Sequence, residues 1–378
     1  IDYIHDMTVL DDGKILAVGA VNNRFGIMRF NADMTLDSTF GSGGGTQVDF
    51  GAGNHASAFA IDSSGRIYVG GQNRLARFTA DGLLDTTFGT DGSVVDDHSS
   101  PIYDIQIEAD GNILTAGRND NHANARRWSP EGVNLRSFGR DVYGSSDDWV
   151  RGVISRDDGD VLVLGSYAYS NSDQRFGVVR FNRDGGHEAE YEANIGASDT
   201  DFVNSVLQLP DNKFLLIGRS DGQLAVTRHL PDGARDTSFP IVELPVLNAQ
   251  DHGYRATLAA DGKILISGYS DNGVNNDLTV VRLNQDGSVD NTFGTNGSVS
   301  FDISGNDYGY AIASLADGKI LVAGRAGDDI AFVRLLGNSD QTAAAANQAP
   351  VNTVPAAQTA TENQPLAFTA YRGNQISI

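Results

Sequence analysis

The phrase Asp12-Gly13-Lys14-Ile15-Leu16-Ala17-Val18-Gly19 returns six more times in this chain of 378 residues. The other copies are SGRIYVGG (64–71), DGNILTAG (110–117), DGDVLVLG (158–165), DNKFLLIG (211–218), DGKILISG (261–268) and DGKILVAG (317–324). The second residues of successive phrases are 46 to 56 positions apart. A period of about fifty with no helical pattern inside it is typical of β-propellers, in which each repeat forms one blade.

Each repeat can be divided into four strands. An alternating stretch such as Ala58–Ile61 precedes the glycine turn, and a continuous apolar run such as Ile264–Ile266 follows it. Such a run predicts a strand buried on both faces between neighbouring blades. A third strand (280–283 in the sixth repeat) and a weaker fourth strand (297–302) complete the unit. One four-stranded sheet cannot bury both of its faces, so residues 1–336 predict an all-β, seven-bladed propeller with about four antiparallel strands per blade.

The composition narrows the possible partners. The net charge is −22 and no long basic cluster is present, which argues against nucleic acid as a partner. The chain has no cysteine, so disulfides, thiolate metal sites and cysteine nucleophiles are excluded. It has no run of eighteen apolar residues, so we expect no membrane span. Because the chain opens at Ile1 without a leader, we expect a monomeric module cut from a longer protein.

A second pattern repeats on the third strands. An arginine occurs there in all seven repeats, an acid follows eight residues later in five, and an aromatic residue follows the acid by three in most. The pairs are Arg29 with Asp37, Arg77 with Asp85, Arg180 with Glu188, Arg228 with Asp236 and Arg282 with Asp290. We interpret them as structural ion pairs across a turn, beside an aromatic wedge between blades. The alternative is a charged ring for an anionic ligand.

These residues carry a family resemblance. The phrase DGKILVAG, the following F-x-x-x-R-[FL]-N segment and the DGxxDxTFG segment resemble the delta-60 repeat, a bacterial family of predicted propellers, most fully at 12–41 and 261–294. The third repeat departs from the pattern at Arg136, and the fourth departs at 187–192. The resemblance implies the architecture but no activity.

The seventh repeat stops after its third strand at Leu336, so we expect the last blade to be incomplete in this chain. We place its fourth strand upstream of Ile1, the alternative being that residues 337–350 supply it. Because 337–350 are small and polar, we prefer to interpret them as a linker. Residues 351–378 resemble the truncated start of a bacterial cadherin-like or immunoglobulin-like tandem module, which implies a large secreted or cell-surface protein.

The motif search predicts no catalytic residue. Gly218-Arg219-Ser220-Asp221-Gly222 fits the nucleophile-elbow pattern, but a strand follows it where an elbow requires a helix. The seven histidines show no HExxH or paired metal-ligand spacing.

The starts of the first strands are better candidates for a ligand site. Polar and aromatic residues recur there at matching positions, which predicts rings around one mouth of the propeller axis. From these positions and a nearby loop we predict ligand contacts by Trp149, Arg151, Asp148, Tyr103, Asn204, Tyr254, Tyr310, Tyr167 and Tyr169. The alternative is that each aspartate of the first ring only caps the turn into its strand.

One long loop in the sixth repeat suggests a metal ion. Asp271, Asn275 and Asp277 make it rich enough in oxygen atoms for Ca²⁺, although it lacks the glycine and the terminal glutamate of an EF-hand. Calcium is the one cofactor that we consider here, and a solvated loop is the alternative.

The sequence favours a non-catalytic binding or display module of an adhesin-like bacterial protein, with a glycan or a surface protein as ligand. The first alternative is a carbohydrate-active hydrolase or lyase that uses carboxylates at the channel mouth, such as Asp148, Asp201 and Asp251. The second alternative is a structural spacer. A deep pocket with paired carboxylates would favour the enzyme, and a shallow aromatic surface would favour the binding module.

Overall fold

The structure is a computed structural model that describes residues 2–21, 24–51, 55–96, 101–119, 122–140, 148–170, 173–193, 195, 201–244, 251–337 and 365–368. Every regular element in these ranges is a β-strand, and the strands form seven antiparallel sheets of four. The predicted all-β, seven-bladed propeller is confirmed. Within the described ranges, no helix has the length and apolar character needed to cross a membrane.

The strands occupy equivalent positions in each blade. The first strands are β1 (Tyr3–Val9), β5 (Ala56–Ile61), β9 (Ile102–Ile107), β13 (Trp149–Ser155), β17 (Phe202–Gln208), β21 (Asp251–Leu258) and β25 (Asp307–Ser314). The second strands are β2 (Ile15–Val21), β6 (Ile67–Gly71), β10 (Ile113–Asn119), β14 (Val161–Ser170), β18 (Phe214–Ser220), β22 (Ile264–Asp271) and β26 (Ile320–Ala326). The third strands are β3 (Arg24–Phe30), β7 (Arg74–Phe78), β11 (His122–Trp128), β15 (Asp173–Phe181), β19 (Gln223–His229), β23 (Asn276–Leu283) and β27 (Asp329–Leu335). The fourth strands are β4 (Gly45–Val48), β8 (Ser93–Val95), β12 (Asn134–Arg140), β16 (His187–Ala193), β20 (Val242–Leu244), β24 (Ser298–Phe301) and β28 (Pro365–Phe368).

The first strands surround the axis, each beside the first strand of the next blade, and β25 closes the ring against β1. The apolar phrases form the second strands, and all seven residues of β2 are buried. Clusters of such residues fill the spaces between adjacent sheets, as Leu16 and Val18 do with Ile67 and Val69. The hydrophobic core therefore consists of separate clusters between adjacent blades, and the first strands extend these clusters to the axis.

The seventh blade contains three consecutive strands, and a distant segment pairs with the third of them. Pro365–Phe368 lies antiparallel to β27, with Phe368 opposite Ile330 and Pro365 opposite Val333. These four residues fall in the stretch predicted to begin a separate module. The backbone groups on the outer edge of β27 are thereby paired, which covers an edge that would otherwise be open to other strands.

The repeated arginine and acid form an ion pair at the seam between blades. Their nitrogen–oxygen distances are 2.7–2.8 Å in blades 1, 2, 5 and 6, as for Arg282 with Asp290. In blade 4, Arg180 lies 2.5 Å from Asp160 and 3.2 Å from Glu188. Blade 3 has Leu135 at the acid's position, and its arginine pairs with Glu108 instead.

Among the described residues, six of these arginines also link their blade to the next. The Arg282 guanidinium lies 4.5 Å from the centre of the Phe293 ring and donates to the carbonyl of Gly337. The series continues around the ring and ends with Arg334 of blade 7, which donates to the carbonyl of Ala32 in blade 1 at 3.0 Å. The closing seam therefore has the same type of contact as the others.

Candidate functional site

The seven first strands begin at one end of the axis, here called the mouth, and each has a β-bulge near its start. In β1 the pairing with β2 runs from Ile4 opposite Gly19 to Asp6 opposite Val18, which leaves His5 without a partner residue. The skipped residues in the seven blades are His5, Ser57, Tyr103, Arg151, Asn204, Tyr254 and Tyr310. A bulge redirects the side chain of its extra residue, so this ring is separated from the regular packing of the blade.

The bulge explains the glycine that ends every repeat phrase. A Cβ atom on that glycine would lie 1.7–2.6 Å from a main-chain carbonyl oxygen of the first strand, for example 1.8 Å from Phe202 O at Gly218. Because the obstruction is backbone, only a residue without a side chain fits opposite the bulge. The positions are Gly19, Gly71, Gly117, Gly165, Gly218, Gly268 and Gly324.

Aromatic rings line the mouth on the side of blades 6, 7, 1 and 2. This aromatic arc consists of His252, Tyr254, Tyr269, Tyr308, Tyr310, Tyr3, His5 and His55, all of them half-buried. Tyr308 and Tyr310 stack at 5.7 Å between ring centres, and Tyr254 lies 5.1 Å from Tyr310. At the other end, Tyr3 meets His55 edge-on at 5.7 Å. The partly exposed ring faces provide a shallow apolar surface with polar tips.

Arginine side chains line the rest of the mouth. Arg151 in blade 4 lies over the Tyr103 ring at 3.8 Å and within 5.4 Å of the Trp149 ring centre. Arg219 in blade 5 lies 4.7 Å from the Phe202 ring centre, and its Nη1 is 3.1 Å from His252 Nε2, which connects this side to the aromatic arc. The predicted residues Tyr103, Trp149 and Arg151 therefore lie together.

Burial keeps two imidazoles and two phenols of the aromatic arc neutral near pH 7. It lowers the pKa of His5 to about 3, with Arg255 adding to the effect, and it lowers the pKa of His252 to about 3. Burial also raises the pKa of Tyr269 and Tyr310 to about 12. The arc therefore presents neutral rings, and the arginines carry the charge.

The predicted ring of aspartates is buried, and its carboxylates accept hydrogen bonds from the second strands or from a loop. Asp148 is fully buried and accepts a hydrogen bond from Ala168 N, and Asp201 accepts one from Ile195 N. Asp251 accepts one from the Ser270 hydroxyl. These carboxylates therefore lie beneath the surface on which the aromatic rings are exposed.

A charged group crosses the channel below the bulges. Arg255 of blade 6 forms a 2.7 Å ion pair with Asp6 of blade 1, and Asp104 of blade 3 accepts a hydrogen bond from Val153 N. Burial raises the pKa of Asp6 to about 6, with Asp104 adding to the rise. These are the carboxylates that line the described part of the channel itself.

The remaining predicted ligand residues differ in their positions. Tyr167 is buried in the core between blades 3 and 4, with its hydroxyl donating to Val163 O at 2.8 Å. Tyr169 belongs to β14, but its side chain is outside the described residues. Asn204 is at a bulge and donates to Gly253 O of the next blade at 2.8 Å.

The predicted calcium loop is held together by its own hydrogen bonds. The Asn272 amide nitrogen donates to Asn275 Oδ1 at 2.7 Å and to Asp277 Oδ1 at 2.9 Å. Asp271 accepts a hydrogen bond from Gly273 N. Across the described ranges, no three histidine or acidic side chains are grouped closely enough to hold a metal ion.

A cavity of about 730 Å³ lies at the opposite face, between blades 3 and 4. Glu108, Arg127, Arg156 and Asp158 line it, and these charges are paired with each other. Its lining is strongly charged and carries no aromatic ring, whereas the mouth combines aromatic faces with arginines. We therefore regard the mouth as the stronger candidate site.

Sequence reasoning missed three residues of the mouth. Arg219, Tyr269 and Arg325 directly follow the glycine that ends a repeat phrase, and they pair with Phe202, His252 and Tyr308 on the first strands. Aligning the residue after each phrase glycine with the start of the first strand would have found them.

Comparison with known families supports a propeller repeat. Segments 10–40, 63–88, 156–185, 259–293 and 315–340 match a family described as "Domain of unknown function (DUF5122) beta-propeller". The segments fall in blades 1, 2, 4, 6 and 7, in agreement with the repeat pattern. Comparison with curated proteins gives no match.

Solved structures show the same fold. A protein of unknown function from Bacteroides caccae is 13% identical, with a TM-score of 0.50, over 76% of this chain and 94% of that protein. A catalytically inactive virginiamycin B lyase from Staphylococcus aureus, solved with quinupristin, is 16% identical with a TM-score of 0.57, over 85% of this chain and 92% of that protein. At these identities the similarity concerns the fold alone.

Proposed function

We propose that the protein is a non-catalytic binding module whose ligand docks on the mouth. The observation that carries the proposal is the ring of bulges, which places half-buried aromatic and polar side chains around the axis in six blades, with the buried Ser57 in blade 2. Half-buried aromatic faces offer apolar contact area that a ligand can cover, and their hydroxyl and imidazole groups can direct it.

The ligand class proposed is a glycan, with a surface protein as the alternative. Aromatic rings pack against the C–H faces of sugars while arginine and tyrosine groups bind hydroxyls. The proposed setting is a large secreted or cell-surface bacterial protein of adhesin type. The likeness to delta-60 repeats and to a cadherin-like segment at 351–378 supports this setting.

An enzymatic role is the second candidate, and it rests on Asp6 and Asp104 in the channel. A hydrolase or lyase requires carboxylates that can reach the substrate, and the buried aspartates of the mouth are hydrogen-bonded beneath its surface. Asp6 has a raised pKa and is near a second carboxylate, which is a pattern found in acid–base pairs. Its ion pair with Arg255 occupies the carboxylate, which is why we rank binding first.

A glycan array probed with the purified chain tests the proposal. We expect specific binding that Trp149→Ala reduces at least tenfold and that Asp6→Asn leaves unchanged. The control is Leu83→Ala, which removes an apolar side chain that is 57% exposed and away from the mouth. Repeating the array with a calcium chelator tests the loop at 271–277. The absence of binding to every glycan would reject the glycan-binding function. If the wild type forms a product from a glycan and Asp6→Asn does not, the enzymatic role is favoured.

A further inference from the structure

Three arginines at the mouth have no acidic partner. Arg151, Arg219 and Arg325 contact aromatic rings, the last with its guanidinium 4.9 Å from the Tyr308 ring centre. None of the three lies within ion-pair distance of a carboxylate in the described part of the chain. Arg255, deeper in the channel, shows the contrast because it pairs with Asp6 at 2.7 Å.

Two of these guanidinium groups have buried nitrogens without hydrogen-bond acceptors. Arg151 Nη1 and Arg325 Nε have almost no contact with solvent and no acceptor in the structure. A buried charged donor without an acceptor is costly, and natural structures usually supply one. All three arginine side chains are half-buried, so an incoming anion would bind the guanidinium nitrogens that remain exposed.

The three arginines also contrast with the acidic character of the protein. The chain has a net charge of −22, so long-range electrostatics repel anions from most of its surface. The imidazoles of His5 and His252 are neutral because burial lowers their pKa to about 3, and Asp148 and Asp201 are buried and accept hydrogen bonds from main-chain nitrogens. A local group of unpaired arginines on such a protein indicates a site that selects for negative charge.

We propose that the ligand is an acidic glycan whose carboxylates bind these arginines while its sugar rings pack on the aromatic arc. This inference rests on the proposed binding function and specifies its ligand. A planar guanidinium binds a carboxylate through two parallel hydrogen bonds, and stacking on an aromatic ring holds it in orientation. A sugar acid combines the carboxylate with the apolar face that the arc requires.

Oligogalacturonate and its methyl ester test the proposal, since they differ only in whether the carboxylates are free. We expect the acid to bind at least tenfold more tightly than the ester, and raised salt to weaken its binding. The double variant Arg151→Gln/Arg325→Gln should lose this preference. The control Arg136→Gln/Arg183→Gln makes the same change in charge at exposed arginines beside the opposite cavity and should retain it.

The outcomes separate this inference from the binding function. If acid and ester bind equally and Trp149→Ala abolishes both, the mouth binds glycans but the anionic preference is rejected. If neither binds and neutral glycans on the array do, the acidic ligand is also rejected. If no glycan of any charge binds, both proposals fail. If acidic peptides bind and no glycan binds, the proposal that the ligand is a sugar is rejected.

Discussion

Replacing the glycine at the end of a repeat phrase should destabilise its blade far more than replacing other strand glycines. In Gly218→Ala, the new Cβ would lie 1.8 Å from Phe202 O, 2.8 Å from Phe202 C and 2.9 Å from Val203 Cα. All three atoms are backbone, so relief requires β17 to move away from β18. Overpacking costs about 1–3 kcal/mol, and each lost ladder hydrogen bond costs about 1 kcal/mol.

We therefore expect Gly218→Ala to reduce the free energy of unfolding by about 3 kcal/mol. At roughly 2 °C per kcal/mol for a large domain, the melting temperature falls by about 6 °C. The matched control is Gly26→Ala in β3, where the nearest atom to the new Cβ is a Val21 side-chain methyl at 3.0 Å. That methyl can shift, so we expect a change of less than about 1 kcal/mol.

The same reasoning predicts a ranking. Alanine at Gly268, where the carbonyl oxygen is 1.7 Å away, should cost more than alanine at Gly117, where it is 2.6 Å away. Differential scanning calorimetry of the variants measures both the size and the order of the effect. A Gly218→Ala protein that melts within 1–2 °C of the wild type, or no difference from Gly26→Ala, would refute the steric role of the bulge.

Three further predictions concern charge. Arg282→Met should lower the free energy of unfolding by about 2 kcal/mol because it leaves the buried Asp290 without this ion pair. Arg24→Met breaks an exposed ion pair and should cost less than about 1 kcal/mol. Thermal melts of the two variants compare the two costs. Burial raises the pKa of Asp201 from 3.8 to about 6, so its ionisation costs stability as pH rises from about 4 to 6. The free energy of unfolding of Asp201→Asn should therefore exceed that of the wild type by up to about 3 kcal/mol at pH 7, and this gain should be lost at pH 4. An equal difference at both pH values in denaturant titrations would contradict the prediction. Because burial lowers the pKa of His5 to about 3, His5→Gln should leave the pH dependence of ligand affinity between pH 5.5 and pH 8 unchanged by calorimetry, and a pH dependence lost in this variant would show that the His5 imidazole titrates there.

The sequence was sufficient to predict the propeller because its strand pattern is local. Each apolar phrase and its glycine turn fall within a few residues, and Gly13 with its positive φ of 81° is typical of them. The pairing of Pro365–Phe368 with β27 was not predictable, because it depends on a segment some thirty residues further along the chain. The reason why each repeat phrase ends in glycine was not predictable either, because it depends on a main-chain carbonyl of another strand.

The candidate site was predictable only in part. Tyr103, Trp149 and Arg151 were found because equivalent positions could be aligned between repeats, and the structure places them together. Alignment does not show the direction of a side chain, so Tyr167 was expected at the mouth although it packs in the core. The buried Asp148 likewise accepts a hydrogen bond from Ala168 of β14, which no repeat pattern reveals.

The bulge in each first strand has a consequence for how this protein can change. The extra residue of each bulge takes no part in the pairing between the first and second strands, so its side chain can be replaced without altering that pairing. The natural sequence already places histidine, serine, tyrosine, arginine and asparagine there. Seven variable positions around one axis amount to a combinatorial library on a constant frame, in which neighbours such as Tyr254 and Tyr310 must be varied together because their rings are in contact. New specificities should be obtainable by randomising this ring alone, with the phrase glycines left untouched.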